Sequence, residues 1–216
     1  MRERVILRAA KRALGEERAT RVFRSFDFIG DIAIIKLPSD LEDEGRVLAE
    51  EILKELPYIK AVLRQSSPVQ GSYRMRALEP LAGEKRMVTL YREHGCAFKV
   101  DLSQVYFSPR LSHERLRVSE LVRDGEIVIN MFAGVGCFSV MIAKRKPNCL
   151  VYSIDVNPKA VDLMRENAAL NGVEGRVVSI EGDAREVLRA SWARRIGSSC
   201  RSLRSPTSTW TQPCCR

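Results

Sequence analysis

The chain has 216 residues, 45% of them hydrophobic and 29% charged, with a formal net charge of +9. That composition is ordinary for a globular protein with room for one catalytic core and a smaller domain, and no apolar run approaches the roughly 20 residues of a membrane span. The basic excess is a weak pointer to nucleic acid. Arg189, Arg194, Arg195, Arg201, Arg204 and Arg216 supply six of the nine charges in a stretch with no acid after Glu186, leaving the body only mildly basic.

The first 20 residues read as helix, with Val5, Ile6, Ala9 and Leu14 between charged positions. They are too charged for a signal peptide, so a cytoplasmic location is expected. Phe28 to Leu37 reads as strand, interrupted by a turn at Gly30-Asp31. Leu41 to Leu56 predicts an amphipathic helix with acids in its first turns, and Ile59 to Leu63 a further strand. Gly71-Ser72-Tyr73-Arg74-Met75-Arg76 is a loop that sets two arginines beside an aromatic, an unusual combination for which a solvated basic loop is the plain reading. Two alternating runs between Arg86 and Val105 flank His94-Gly95 and predict a β-hairpin. Pro109 is expected to open a helix that sets Arg110 and Glu114 on one face, where a plain surface ion pair is the competing reading. Cys96, Cys137 and Cys149 lack metal-ligand spacing and read as reduced, packed thiols; no metal is expected.

From Glu126 the pattern changes to alternating strands and helices. Ile127-Val128-Ile129 is an apolar run of the doubly buried kind. Asn130 to Gly136 is a turn of mostly small residues, Cys137 to Lys146 has helical spacing, and Leu150 to Ile154 is a second strand ending on Asp155. Gly134 and Gly136 are expected to let the backbone pass under a ligand where a Cβ would intrude. Asp155 is placed to accept hydrogen bonds from a ribose diol. Ser139 stands where a dinucleotide fingerprint needs its third glycine, which favours a nucleoside without phosphates, S-adenosylmethionine, over a pyrophosphate. Asp155-Val156-Asn157-Pro158 leads into a helix over 160–170 stopped by Asn171-Gly172, then a strand over 176–180, then Glu181-Gly182-Asp183-Ala184. Asn130, Asp155 and Asp183 stand at three successive strand ends, the rim where open parallel sheets bind ligands. They suit the amino acid part, the ribose and the adenine in turn, with Phe132, Val156 and Ala184 beside them.

The fold class expected is α/β: a Rossmann-like class I methyltransferase domain over 106–187, incomplete at its carboxyl end, preceded by a small α+β domain over 1–105. Residues 188–216 are dense in Arg, Ser, Thr and Cys and read as a separate tail.

VDLSQVYFSPRLSHER, INMFAGVGCFSV, SIDVNPKAVDLMRENAALNG and GDAREV together resemble the archaeal and eukaryotic-type tRNA (guanine37-N1)-methyltransferases, over about 70–187. The resemblance implies S-adenosylmethionine as cofactor, tRNA as partner, and a monomer that methylates the guanosine next to the anticodon. It implies Glu114 as the base for the N1 proton, Arg74 as the clamp on guanine O6, and Arg110 and Arg115 as residues that orient Glu114 and the phosphate backbone. Arg76 and Arg115 would contact tRNA. Arg74 rather than Arg76 is the clamp if no insertion separates it from Arg110. The guanosine would have to leave its stack. Asn130 stands where many relatives have Asp, which removes a charge near the methionyl ammonium. The rival readings are an aminocarboxypropyl transferase of wyosine-base synthesis, a bifunctional methyltransferase of that pathway, and an inactive RNA-binding fragment.

The tail has a specific expectation of its own. Reading the third base of each codon with the next two turns Trp210-Thr211 into Asp and Cys214-Cys215 into Leu, and permits M-P-L-P-E-x-S-H-E-Y-L-D-A-A-L-L from Ser199 onward. A shifted reading frame is therefore expected, with little activity in the chain as written and methyl transfer in a frame-corrected one. A disordered basic tail that binds RNA is the alternative.

Overall fold

The computed structural model describes residues 2–20, 22, 26–38, 41, 43–67, 71 and 76–196. The chain forms two compact units, one from the amino terminus to Tyr91 with Val100–Pro109, the other Arg92–Lys99 with everything from Arg110 onward. The division thus cuts the hairpin, whereas the sequence suggested a single boundary after 105.

In the first unit, α1 (Arg2–Leu14) and α2 (Glu16–Ala19) are separated at Gly15. Strands β1 (Asp27–Ile29) and β2 (Ile32–Ile35) form the interrupted strand expected, paired antiparallel across Gly30-Asp31. Helix α3 (Gly45–Glu55) begins four residues later than predicted and has no acid in its first turn. Leu41 is held in a separate turn, its N–H on the Pro38 carbonyl, which leaves the helix to start beyond it. Strand β3 (Ala61–Gln65) runs parallel to β2, and β4 (Leu78–Gly83) closes the sheet antiparallel to β3. β4 was not predicted; it contains Pro80, and at a sheet edge a proline is tolerated, since no ladder partner needs its missing N–H. Ala9, Ala10, Ile35, Leu48, Ala49, Ile52 and Val62 make the core between the helices and the sheet.

Strands β5 (Val88–Glu93) and β6 (Cys96–Asp101) are the predicted hairpin. His94 and Gly95 both take positive φ, 46° and 78°, as a two-residue turn matched to strand twist requires.

The second unit continues through α4 (Ser112–Leu121), preceded by a 3-10 turn at Pro109–Leu111. Then follow β7 (Ile127–Asn130), α5 (Cys137–Arg145), β8 (Leu150–Asp155), α6 (Pro158–Leu170), β9 (Val177–Glu181) and α7 (Ala184–Ile196). The three strands are parallel in the order β7-β8-β9, so their carboxyl ends share one edge. Asn157 caps α6 by accepting the Lys159 N–H at 3.0 Å, with Pro158 in the first turn. α7 carries helix to Ile196, past the point where the tail was expected to begin; residues 197–216, with Cys200, Cys214, Cys215 and the reading-frame question, lie outside the described residues. Among the described residues no helix is long and apolar enough to cross a membrane.

Candidate active site

The chain leaves β7 at Asn130 and turns through 131–136 into α5. The Ala133 N–H donates to the Ile154 carbonyl (3.0 Å) and the Gly136 N–H to the Ala133 carbonyl (2.9 Å), so the turn folds back on the end of β8. The Gly134 N–H donates to Asp155 Oδ2 at 2.7 Å. Asp155 Oδ1 accepts the Asn157 N–H at 2.9 Å, and the Asp155 carbonyl accepts the Gly182 N–H at 3.0 Å. Asp155 therefore ties together the ends of three strands: its half-buried carboxylate joins the turn after β7 to the end of β8, and its backbone carbonyl reaches the end of β9. Each carboxylate oxygen keeps a second lone pair.

The two glycines do different jobs, which corrects the expectation that both make room for a ligand. A Cβ on Gly134 would meet nothing within 4 Å, the open space a ligand would need. A Cβ on Gly136 would lie 2.6 Å from Met164 Cγ, and Gly136 sits at φ 86° as the residue before α5. Gly136 is thus demanded by helix packing and backbone conformation. Gly136→Ala is expected to cost about 2 kcal/mol, much of it the ~1–2 kcal/mol of a left-handed non-glycine residue and the rest displacement of Met164. Thermal unfolding checks this, as a fall of roughly 4–8 °C. Gly134→Ala carries only the backbone share, and its larger effect should be on ligand affinity.

Asn130 is buried, and its Nδ2 donates to Ser139 Oγ at 3.0 Å, which also accepts Ser153 Oγ–H at 2.7 Å. The serine that replaces the third fingerprint glycine thus holds the end of β7 to β8 from within the helix. Phe132 is 78% exposed and Val156 49% exposed, two apolar faces at the ends of neighbouring strands. Asp183 is exposed, and its Oδ1 accepts the Arg185 N–H at 2.7 Å, capping α7; Ala184 beside it is buried. Cys137, at the start of α5, is wholly buried, and the loss of solvent pushes its thiol up to about 12, so it packs as an apolar residue and offers no nucleophile. Cys96 and Cys149 are buried free thiols as well.

The residues expected to handle the substrate are placed less simply. Glu114 is in the first turn of α4, 46% exposed, and accepts from both Nε (2.8 Å) and Nη2 (2.6 Å) of Arg117. These hydrogen bonds from Arg117 hold its carboxyl below the usual glutamate range. Glu114 thus pairs with Arg117 three residues on, and Arg110 is exposed in the 3-10 turn. Arg115 was expected to reach RNA. It is instead interior, its side chain 4% exposed, with Nη1 donating to both oxygens of Glu93 at 2.8 and 3.0 Å. A guanidinium engaged that way inside the unit fixes α4 to the hairpin rather than meeting a phosphate. In the first unit, Arg76 is nearly buried, bonded to Asp27 at 3.2 Å and to the Phe107 carbonyl at 3.3 Å, so it too is a packing arginine here. Arg74 lies outside the described residues.

Glu93, Ser153 and Asn167 were not singled out from the sequence, and Ser139 only as the departure from a dinucleotide fingerprint. Their one local signal was a polar residue at a position where strand or helix periodicity calls for an apolar one, as with Ser153 inside LVYSID.

A family model described as the TRM5/TYW2 methyltransferase domain matches residues 89–200, and one described as the TYW2 N-terminal domain matches residues 6–86. The tRNA (guanine(37)-N(1))-methyltransferase Trm5b of Pyrococcus abyssi is 44% identical over 163 residues, 76% of this chain and 48% of that protein. The tRNA 4-demethylwyosine(37)-methyltransferase Taw21 of Saccharolobus solfataricus is 43% identical over 164 residues, 76% of this chain and 62% of that protein. Among solved structures, the complex of aTrm5 with tRNALeu matches at a TM-score of 0.74 and 37% identity, over 82% of this chain and 52% of that one. The chain thus spans about half to three fifths of the length of the curated relatives it matches.

Proposed function

Because the chain belongs to the TRM5/TYW2 methyltransferase family, we propose that it transfers the methyl group of S-adenosylmethionine to N1 of guanosine 37 in tRNA, as a cytoplasmic monomer. The observation that carries this reading is the lock between the Gly134 N–H and Asp155 at the ends of β7 and β8, beside open space over Gly134. It offers a preset acceptor for a ribose diol.

Bound there, S-adenosylmethionine supplies an electrophilic methyl on a sulfonium. Asp155 holds the ribose through its free lone pairs, Phe132 and Val156 offer apolar faces to the adenine, and Asp183 has Oδ2 for the adenine amine. Asn130 presents its amide oxygen towards the amino acid part, and Gly134 and Gly136 shape the turn. Glu114 is the base: its carboxylate would take the N1 proton in exchange for the methyl that the sulfonium supplies to N1. A carboxylate held low by Arg117 is a poor base, so guanine entry has to open that pair and strip water from Glu114. By the family resemblance Arg74 clamps O6 and Arg110 orients Glu114; Arg76, held by Asp27 and the Phe107 carbonyl, packs within its own unit, and Arg115 supports α4.

A second reading, methyl transfer to 4-demethylwyosine at position 37, is favoured by the Saccharolobus relative, whose identity is within one percentage point of the Pyrococcus one. The test offers methyl-labelled cofactor and tRNA with G or A at position 37, or with 4-demethylwyosine there, to the chain with its own carboxyl terminus and with the alternative-frame one. Labelled 1-methylguanosine from the G transcript alone is expected. Label only in the wyosine base moves the assignment to the second reading. No label in any substrate with either protein overturns both.

A further inference from the structure

Asn167 lies in the last turn of α6, is completely buried, and spends its side chain wholly on backbone. Its Oδ1 accepts the Lys99 N–H at 2.7 Å, and its Nδ2 donates to the Lys99 carbonyl at 3.1 Å and to the Val135 carbonyl at 3.0 Å. One turn on, Asn171 treats Ala97 the same way, accepting its N–H at 2.9 Å and donating to its carbonyl at 2.6 Å. The spacing explains the match. Residues four apart on a helix are separated by about 6 Å along its axis, and residues two apart on a strand by about 6.7 Å. Two asparagines thus stand in for a neighbouring strand and satisfy the outer edge of β6.

Only Asn167 also reaches the glycine turn. Val135 stands between Gly134, whose N–H is fixed by Asp155, and Gly136, which fits against Met164. The turn is therefore pinned on one side through a backbone N–H and on the other through a backbone carbonyl. The second pin shares its amide with the hairpin, and the hairpin in turn holds Glu93 against Arg115 of α4. No part of Asn167 needs to touch a ligand for this to matter.

We propose that Asn167 is a positioning residue for the methyl donor: by bonding Val135 and Lys99 at once it holds the glycine turn in register with the hairpin, so that cofactor binding tightens both. The inference rests on the S-adenosylmethionine reading. Asn167→Asp keeps the shape and the acceptor for Lys99 but removes the donor and sets a carboxylate against two carbonyl oxygens. Asn171→Ala is the matched control, because it strips the same strand of its other surrogate partner without touching the turn.

Dissociation constants for S-adenosylmethionine by calorimetry, alongside melting temperatures, separate the two. Asn167→Asp should bind about tenfold more weakly, while Asn171→Ala, at a comparable loss of melting temperature, stays within about twofold of the unaltered chain. A second measurement needs no variant. In the unaltered chain, adding cofactor should slow hydrogen exchange at the Lys99 amide, whose acceptor is Asn167, more than at the Ala97 amide, whose acceptor is Asn171. Equal affinity in Asn167→Asp and the unaltered chain overturns the inference, as does an equal response of the two amides. Should the unaltered chain bind no S-adenosylmethionine at all, the cofactor reading fails first and this inference with it.

Discussion

Asp155→Ala is expected to lower affinity for S-adenosylmethionine about a hundredfold. Two hydrogen bonds from a ribose diol to a carboxylate are charge-assisted, each worth about 1.5–3 kcal/mol, so the lower end of that range for the pair, about 3 kcal/mol, is on the order of a hundredfold. The same change frees the N–H groups of Gly134 and Asn157, so the turn loses its preset shape before any ligand arrives. Asp155→Asn separates these contributions. It keeps the size of the side chain and one acceptor, and should lose about tenfold, the share owed to charge. Calorimetry with S-adenosylmethionine reads both numbers. An Asp155→Ala protein that binds within threefold of the unaltered chain would move the ribose elsewhere and remove the basis for placing the cofactor on this rim.

Arg115→Ala is expected to cost about 3–5 kcal/mol of folding stability, because it leaves the Glu93 carboxylate inside the second unit without its cation. Both side chains are at most 4% exposed, so water cannot take over the lost bonds. The compensated double change Glu93→Leu with Arg115→Met should recover most of the loss, since buried ion pairs replaced by apolar residues of similar volume are often neutral or better. Urea unfolding of the two single variants and the double one closes a cycle. A cost under about 1 kcal/mol for Arg115→Ala would mean the pair is hydrated, as surface pairs are, and would return Arg115 to the residues available for RNA. The Glu114–Arg117 pair on the same helix makes the contrast. It is 46% and 59% exposed, so breaking it should cost little folding stability.

The parallel βαβαβ run was legible because each part announces itself over a few residues. Apolar runs mark β7 and β8, Asn157-Pro158 opens α6, and Asn171-Gly172 closes it. The hairpin at His94-Gly95 was legible for the same reason, since a two-residue turn with positive φ leaves a local signature. β4 was not, because its proline is acceptable only at a sheet edge, and edge position is a property of the assembled sheet.

Asp155, Gly134 and Asn130 stand at the strand ends where the sequence put them, because that placement follows from strand order alone. The separate roles of Gly134 and Gly136 were invisible, because the difference is Met164 on another helix. The arginines mislead most. Arg110, Arg115 and Arg117 lie within eight residues of one another, and charge alone gives no reason to bury one, leave one exposed and pair the third with Glu114.

What the sequence by itself determined is the order of strands and helices, the glycine turn, and the acids at strand ends, all of which depend on patterns spanning a few residues. What only the tertiary structure decided is which polar side chains became internal fastenings. Glu93 and Arg115 are 22 positions apart, Asn167 and Val135 32, and Asn167 and Lys99 68. Bonds of that reach are chosen by which groups would otherwise be buried without partners, and that is known only once the chain has closed around them.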